Sequence, residues 1–457
     1  MSRIAVPGAP LFRRVLSLAQ IDKAVFYGLT ARLWLAAAGP VSALLVAAFF
    51  SPELQGFYYT FSSLIALQVF AELGLGVVIL HFASHEWTGL SISDGGQIKG
   101  DPAALSRLQS IARISVSWYL IAAALLTLTL VYAGEYFFLG ADNYLIDWYT
   151  PWKVLCVLTG LNLALTPAWS ILEGCNQVAS VYGYRFWQAV ISSIAAWMAI
   201  ALGAELWTGV ITSAITAGVA VYFVTSKYRV FFRTLLQKPK VHHRISWHKE
   251  MLPMQWRIAI SWISGYFAFS LFVPVLFKYQ GSVTAGQMGM TWSLVNVVGL
   301  AGAWLSPQIP KYGMLISKGK FMELDSLLWV TVRNVGFAAC FIAVTLIAMV
   351  YLFELTGFFL AKRLLPIMPI TIFLIAQVFV VSSLPFSAYL RAHKQEPLMI
   401  LSVSAAICVA ITTVVAARYS GPTEVAIGYL VVNLVAIPLV IWIWHQKRKA
   451  WRTAQIE

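Results

Sequence analysis

Twelve stretches of this chain, each of 18 or more residues, contain no Asp, Glu, Lys or Arg. They are Leu33–Pro52, Leu54–Ala71 (apolar again past Glu72 to Ser84), Ile114–Gly134, Val154–Leu172, Phe186–Ala204, Leu206–Ser226, Ile258–Phe277, Tyr279–Pro310, Asn334–Phe353, Leu364–Leu390, Pro397–Ala417 and Val425–Trp444. About 20 apolar residues in a helix cross the hydrocarbon of a bilayer. Inside that hydrocarbon every backbone N–H and C=O must be bonded within the segment or within a closed barrel. Runs this long and this continuous are helices, because barrel strands alternate apolar and polar residues over about ten positions. The expected fold class is all-α integral membrane, with twelve transmembrane helices.

Charge supports the same reading. Only 11% of residues are charged and 60% are hydrophobic, against about 25% charged in soluble domains. An ordinary soluble enzyme is excluded, and so is a disordered chain, which needs low hydrophobicity. The net charge of +14 has two readings, nucleic-acid binding or retention of cations on the cytoplasmic side of a membrane. Position along the chain decides. With the N-terminus inside, 27 of the 32 Lys and Arg fall on inner segments, leaving Lys153, Lys278, Lys362, Arg363 and Arg418 outside. Both termini are therefore expected in the cytoplasm, and no nucleic-acid partner is needed. Before the first apolar stretch no short apolar core leads to a cleavage site, so that stretch is expected to act as the membrane signal itself. The four cysteines show no CxxC spacing and read as reduced packing residues.

The most basic inner segment divides the chain into a cytoplasmic amphipathic N-terminus (1–29), a first six-helix bundle (30–226), a basic linker (227–255), a second six-helix bundle (256–445) and a basic tail (446–457). Six is even, so the two bundles would share one orientation, related by an axis along the membrane normal. Gly56, Ser63 and Leu64 recur as Gly286, Ser293 and Leu294, 230 positions on. Pro151, Pro167, Leu172 and Gln177 recur as Pro369, Pro385, Leu390 and Gln395, at a constant offset of 218.

Three stretches carry a family resemblance: Ser51-Pro52-Glu53-Leu54-Gln55-Gly56-Phe57-Tyr58-Tyr59, Glu72-Leu73-Gly74-Leu75, and Leu172-Glu173-Gly174-Cys175-Asn176-Gln177. In their order and spacing, with the six-plus-six layout, the sequence resembles the bacterial polysaccharide exporters. These are the O-antigen and lipid-linked oligosaccharide flippases of the superfamily that also holds the multidrug and toxin extrusion transporters. The resemblance implies two bundles around a central cavity that opens alternately to either side. It implies a glycan on a polyprenyl pyrophosphate carrier as cargo, membrane lipids and glycan polymerase or glycosyltransferases as partners, and the bacterial inner membrane as location. The aromatic segment Met254–Tyr266 maps onto no motif of that family.

A phosphate crossing hydrocarbon needs a cationic or polar route. Arg32 and Arg257 open the first and seventh stretches, and a guanidinium fork suits phosphate oxygens while keeping its charge. They are candidates for capturing a pyrophosphate at the inner mouth of the cavity, or else are headgroup anchors. Glu72 is the acid deepest inside a stretch and needs a partner or a proton. It is read as a proton or sodium coupling site, as the partner of Arg32, or as a neutral structural acid. Gln68, Asn162, Gln188, Asn296 and Gln377 are candidates for a sugar path or for interhelical hydrogen bonds. Pro40, Pro167, Pro274, Pro385 and Pro438 predict kinks. Glu173 and Arg185 read as an interfacial pair, and Leu11–Phe26 as an amphipathic surface helix. His242, His243 and His248 lack the further ligands of a zinc site.

No phosphate-cradling loop, nucleophile elbow or metalloprotease helix occurs, so no cofactor and no enzymatic activity are expected. Two other functions stay open. One is a cation-coupled exporter of the same fold using Glu72. The other is a polytopic glycosyltransferase or polymerase using Glu135, Asp142 or Asp147.

Overall fold

The structure, a computed structural model, describes residues 23–93, 95–139, 146–238, 245–393 and 395–453. The Leu11–Phe26 surface helix falls mostly outside these residues, as do His242, His243 and Asp142. The described residues are mostly helical, with one antiparallel hairpin in which β1 (Leu90–Ile92) pairs with β2 (Ile98–Gly100).

The first half contains α1 (Lys23–Phe49), α2 (Pro52–Ile65), α3 (Gln68–Glu72), α4 (Leu75–Trp87), α5 (Pro102–Phe138), α6 (Tyr149–Gly174), α7 (Val178–Ala201), α8 (Trp207–Lys227) and α9 (Arg229–Leu235). A π-helical turn at Trp247–Met251 leads into the second half. There follow α10 (Leu252–Phe269), α11 (Phe272–Gln280), α12 (Ser282–Val295), α13 (Ile309–Ser317), α14 (Phe321–Leu355), α15 (Ile367–Ala392), α16 (Met399–Tyr419) and α17 (Pro422–Thr453). A 3-10 segment, Asn296–Trp304, extends α12, and a second, Phe359–Arg363, follows α14.

Among the described residues nine helices are long and apolar enough to cross a membrane, and up to eleven if each of two bent pairs is one span. All twelve apolar stretches of the sequence lie on helical segments. The fifth, α7, has the length at 24 residues but lacks the apolarity of the nine, since Arg185, Gln188 and several serines dilute it. The outer faces of the long helices are apolar: Leu125 on α5 is 60% exposed and Phe341 on α14 is 74% exposed. Contiguous apolar surface of this kind is tolerated only where lipid covers it.

Each of the three short motifs proves to be helix punctuation. Ser51 caps α2, its Oγ accepting the Leu54 amide at 3.1 Å, with Pro52 in the first turn and Glu53 at the positive end of the helix dipole. Glu72-Leu73-Gly74-Leu75 is a break: Leu73 (φ 48°) and Gly74 (φ 66°) are both left-handed, and the segments on either side are bent by 46°. An unbroken passage from Leu54 to Ser84 is thereby corrected. The bend arises at a glycine that takes positive φ without steric cost, in a stretch that contains no proline. Leu172–Gln177 closes α6, where Asn176 takes φ 58° and the Gln177 amide returns to the Leu172 carbonyl at 2.9 Å.

α6 and α15 are both 26 residues long and carry their two prolines at the same helical positions, Pro151 and Pro167 in one, Pro369 and Pro385 in the other. Leu172 and Leu390 are both buried. Within the first half α1 packs on α7, α5 on α6, and α6 on α4 and α8; within the second, α15 packs on α14 and α17, α16 on α17, and α11 on α12. The main seam between the halves is α2 against α12.

Candidate functional site: an acidic cavity and a sealed seam

The break after Glu72 turns α3 and α4 apart and leaves the Glu72 carboxylate facing the interior of the first half. A cavity of about 190 Å³ opens there, lined by Gln68 and Glu72 from α3, by Asn162, Thr166 and Trp169 from α6, and by Gln188 and Thr216 from α7 and α8. Four candidates separated by up to 120 positions in the chain, Gln68, Glu72, Asn162 and Gln188, are thus brought into one chamber. Tyr119 of α5 donates its hydroxyl to Glu72 Oε1 at 3.4 Å. The Asn162 Nδ2 is committed to the Leu158 and Ser213 carbonyls at 3.0 and 3.1 Å, which leaves its carbonyl oxygen for a ligand. Thr166 donates to the Asn162 backbone at 3.3 Å.

The donors lining this chamber are a carboxylate, amide oxygens and hydroxyls, with no cationic side chain among them. Such a set suits a proton or a hard monovalent cation, as oxygen ligands do. It repels a pyrophosphate. The volume also falls below the roughly 300–1,000 Å³ of sites that take drug-sized ligands, so the chamber does not hold a glycan. Among the described residues no group of three His, Cys, Asp or Glu is placed to bind a metal ion. Tyr119, Thr166, Trp169 and Thr216 were not singled out in the sequence. Their signal is weak, because hydroxyl and indole groups in apolar helices usually make local bonds.

The other candidates lie apart from this chamber. Arg257 on α10 is exposed and sits over the Trp256 ring at 5.6 Å; Asn296 is exposed where the 3-10 segment begins. Neither lines the chamber. Arg32 lies in α1, and its side chain falls outside the described residues. Next to Arg257, Ile258 packs directly on the break: a β-carbon on Gly74 would lie 2.3 Å from its Cγ2. Phe70 of α3 meets Tyr266 of α10 edge to face at 5.5 Å. The aromatic segment that follows Arg257 therefore covers the bent helix.

The seam itself is closed at the end where α2 and α12 begin. Gly56 and Gly286 cross without side chains between them. Gln55 donates its amide to the Gly286 carbonyl at 2.9 Å and to the Arg363 carbonyl at 3.1 Å. Arg363 donates to the Phe50 carbonyl, while within the second half Gln287 donates to the Lys362 carbonyl at 3.1 Å. Beneath these bonds Phe57 and Phe138 of the first half meet Phe277 of the second at 5.0 and 5.4 Å. At the far end of α5, Arg107 bridges Glu86 (2.8 Å) and Glu250 (2.9 Å), tying the entry to α10 onto the first half. Glu173 pairs with Arg185 at 2.8 Å and Glu135 with Lys153 at 3.1 Å.

With this geometry the chain was compared with known proteins. No family model and no curated protein matches it. Solved structures do. An inward-facing conformation of a multidrug resistance MATE family transporter of the MOP superfamily has a TM-score of 0.66 at 14% identity, covering 92% of this chain and 96% of that one. The lipid II flippase MurJ in an inward closed conformation has a TM-score of 0.62 at 13% identity, covering 92% and 87%. This chain shares its fold with those two transporters. An outward-facing MATE family structure gives 0.52 at 14% identity, covering 96% and 98%. At such identities it is the fold that is shared. With that fold and its long apolar helices the chain is a multi-pass membrane protein.

Proposed function

We propose that this chain is an alternating-access transporter that flips a lipid-linked oligosaccharide, a glycan on a polyprenyl pyrophosphate, from the inner to the outer leaflet of a bacterial inner membrane. In this reading it has twelve spans, counting α7 and each bent pair, arranged as bundles 30–226 and 256–445 with both termini cytoplasmic. The observation that carries the reading is the seam. The two halves meet through glycines, through bonds to backbone carbonyls and through the aromatic cluster of Phe57, Phe138 and Phe277, the contacts that opening the seam would break. The positive-inside rule puts this closed seam on the outer side, since Phe50–Ser51 and Phe359–Arg363 follow odd-numbered spans. The greater likeness to the inward-facing than to the outward-facing MATE structure supports the same state.

Glu72 then serves coupling rather than cargo. Its chamber is enclosed by helices of the first bundle and lies at the bend of α3 and α4, against which Ile258 of the second bundle packs. Protonation or cation binding at Glu72 changes the charge held beside that hinge, which is how one ion biases two arrangements of the bundles. Arg257, exposed beside the hinge, and Arg32 on α1 are the residues proposed to meet the pyrophosphate, with Asn296 further along the cargo path. Gln68 belongs with the ion chamber. Glycan polymerase or glycosyltransferases would supply and consume the cargo.

The acidic chamber is also what a cation-coupled small-molecule exporter of this fold would need, and that is the second reading. One assay separates them. Purified protein in sealed vesicles is supplied with polyprenyl-pyrophosphate glycan, and the amount reaching the far leaflet is followed for wild type, Arg257→Ala and Arg32→Ala. Transfer that collapses in the arginine variants supports the flippase and its phosphate site. Absence of transfer under any ion gradient, with ion-dependent efflux of small cations, favours the exporter.

A further inference from the structure

A second and larger cavity lies on the outer wall of the first half. It measures about 650 Å³ and runs between the start of α1 (Tyr27), the start of α7 (Ser180, Gly183, Trp187) and the end of α8 (Gly218, Lys227). Its long walls are aromatic and aliphatic. Its floor is cleared by small residues: a β-carbon on Gly218 would meet nothing within 4 Å. Trp187 is 57% exposed and Tyr222 71%, so the trough opens sideways to the surroundings of the helices, which for a membrane helix means lipid.

One end differs from the rest. Lys227, the last residue of α8, donates its Nζ to Ser180 Oγ at 2.9 Å and sits over the Phe223 and Tyr228 rings at 5.8 and 5.6 Å. Among the described residues no carboxylate pairs with it. The ammonium is thereby held at the mouth of an apolar trough, with a hydroxyl and a tyrosine ring beside it. A cation at one end of an apolar channel open to lipid matches one kind of molecule, an acyl chain bearing a phosphate.

We infer that this trough binds one acidic glycerophospholipid, its phosphate on Lys227 and Ser180 and an acyl chain along Gly183, Ile191 and Gly218. Charge complementarity selects the acidic headgroup, since a basic residue at the membrane surface attracts anionic lipid. Because the trough is built only from first-half helices, the lipid is a resident of that half and not the cargo. Its assignment to the inner leaflet rests on the orientation proposed above; the lipid contact does not.

The test uses full-length protein in nanodiscs of phosphatidylglycerol mixed with phosphatidylcholine of identical chains, followed by native mass spectrometry of the lipid retained on extraction. Wild type should retain phosphatidylglycerol several-fold in excess of its share. Lys227→Ala should lose that preference and Lys227→Arg should keep it, while Gly218→Leu, which adds bulk at a position where a β-carbon meets nothing within 4 Å, should lose retention of either lipid. Equal retention of the two lipids by wild type, or an unchanged preference in Lys227→Ala, overturns the assignment. Orientation is read separately from a reporter fused after Thr234: an external reading overturns the inner-leaflet placement and the proposed topology, with the lipid retention standing on its own result.

Discussion

Gly56 and Gly286 pack backbone to backbone across the middle of the molecule, 230 positions apart in the chain. A β-carbon on Gly56 would lie 2.0 Å from the Ser282 carbonyl oxygen, and one on Gly286 would lie 2.8 Å from the Gly56 amide nitrogen. The same two glycines head the internal repeat read from the sequence. Residues that correspond in two repeats and also touch each other lie on the axis relating the repeats, so with the proposed repeat this crossing would mark the point about which the halves are paired.

Gly56→Ala should therefore act on the closed seam and on little else. The neighbouring atoms are backbone and cannot swing away, so the added methyl costs about 1–3 kcal/mol in the closed arrangement. That shifts the population toward the open seam by about 5- to 150-fold. Thiol labelling of a cysteine placed at Tyr59 should quicken in Gly56→Ala; an unchanged labelling rate would show that the crossing does not hold the seam.

Glu72→Gln keeps the shape of the chamber and removes its charge. Ion-gradient dependence of transport should vanish, with the fold intact and thermal stability equal to wild type or higher, since a carboxylate at this depth costs a few kcal/mol. Tyr119→Phe, which removes the hydroxyl donated to Glu72, should shift the pH at which transport responds without abolishing it. Full gradient dependence in Glu72→Gln would remove the chamber from the mechanism.

At the opposite end of the second half, Asp325 of α14 accepts from Arg448 at 3.0 and 2.6 Å, from Arg452, and from the Tyr389 hydroxyl at 3.2 Å. This carboxylate is buried and the two guanidiniums are half-buried. Asp325→Asn should loosen the end of α17 by about 1.5–3 kcal/mol, the worth of a hydrogen bond to a charged group. Hydrogen exchange over residues 445–452 should rise by one to two orders of magnitude, and exchange in α6 should stay as it is.

His393 closes the same corner. Its ring stacks on Trp451 at 3.8 Å and 8°, and its Nδ1 lies 3.1 Å from the Tyr389 carbonyl, to which it donates. Burial holds its pKa below the ordinary imidazole value of about 6.5. Above that value the ring is neutral whether or not the corner is docked. As pH falls below about 6.5 the undocked ring takes a proton that the docked one resists, so docking of the last turn of α17 weakens on acidification. Protection factors over residues 445–452, which correct for the intrinsic pH dependence of amide exchange, should fall between pH 7 and pH 5 in wild type and stay flat in His393→Phe.

The spans were legible because long charge-free runs leave no other structure for a backbone in lipid. The break at Leu73–Gly74 was not, since prolines were read as the bends and a left-handed Leu leaves no mark in composition. Gln68, Asn162 and Gln188 were each recognisable as polar groups in apolar helices. Their convergence on Glu72 depends on how α3, α6 and α7 pack, which periodicity does not carry. Likewise the anchoring of Arg448 and Arg452 on Asp325 joins residues more than 120 positions apart, and from sequence the two arginines were simply part of a basic tail. Ser51, Gly74 and Gln177 appeared as motif positions; the structure gives their reasons as a cap, a bend and a helix closure.

The most direct measurement follows glycan transfer while the seam is locked. With Cys340 and Cys408, the two exposed native cysteines, replaced by Ser, Gln55→Cys and Gln287→Cys are bridged by a short bifunctional thiol reagent that a reductant cleaves. Transfer of polyprenyl-pyrophosphate glycan to the far leaflet of sealed vesicles is then recorded before bridging, after bridging and after cleavage. The account predicts that transfer stops when the bridge forms and returns when it is cleaved. Transfer that continues across a fully bridged seam would contradict alternating access between these two halves.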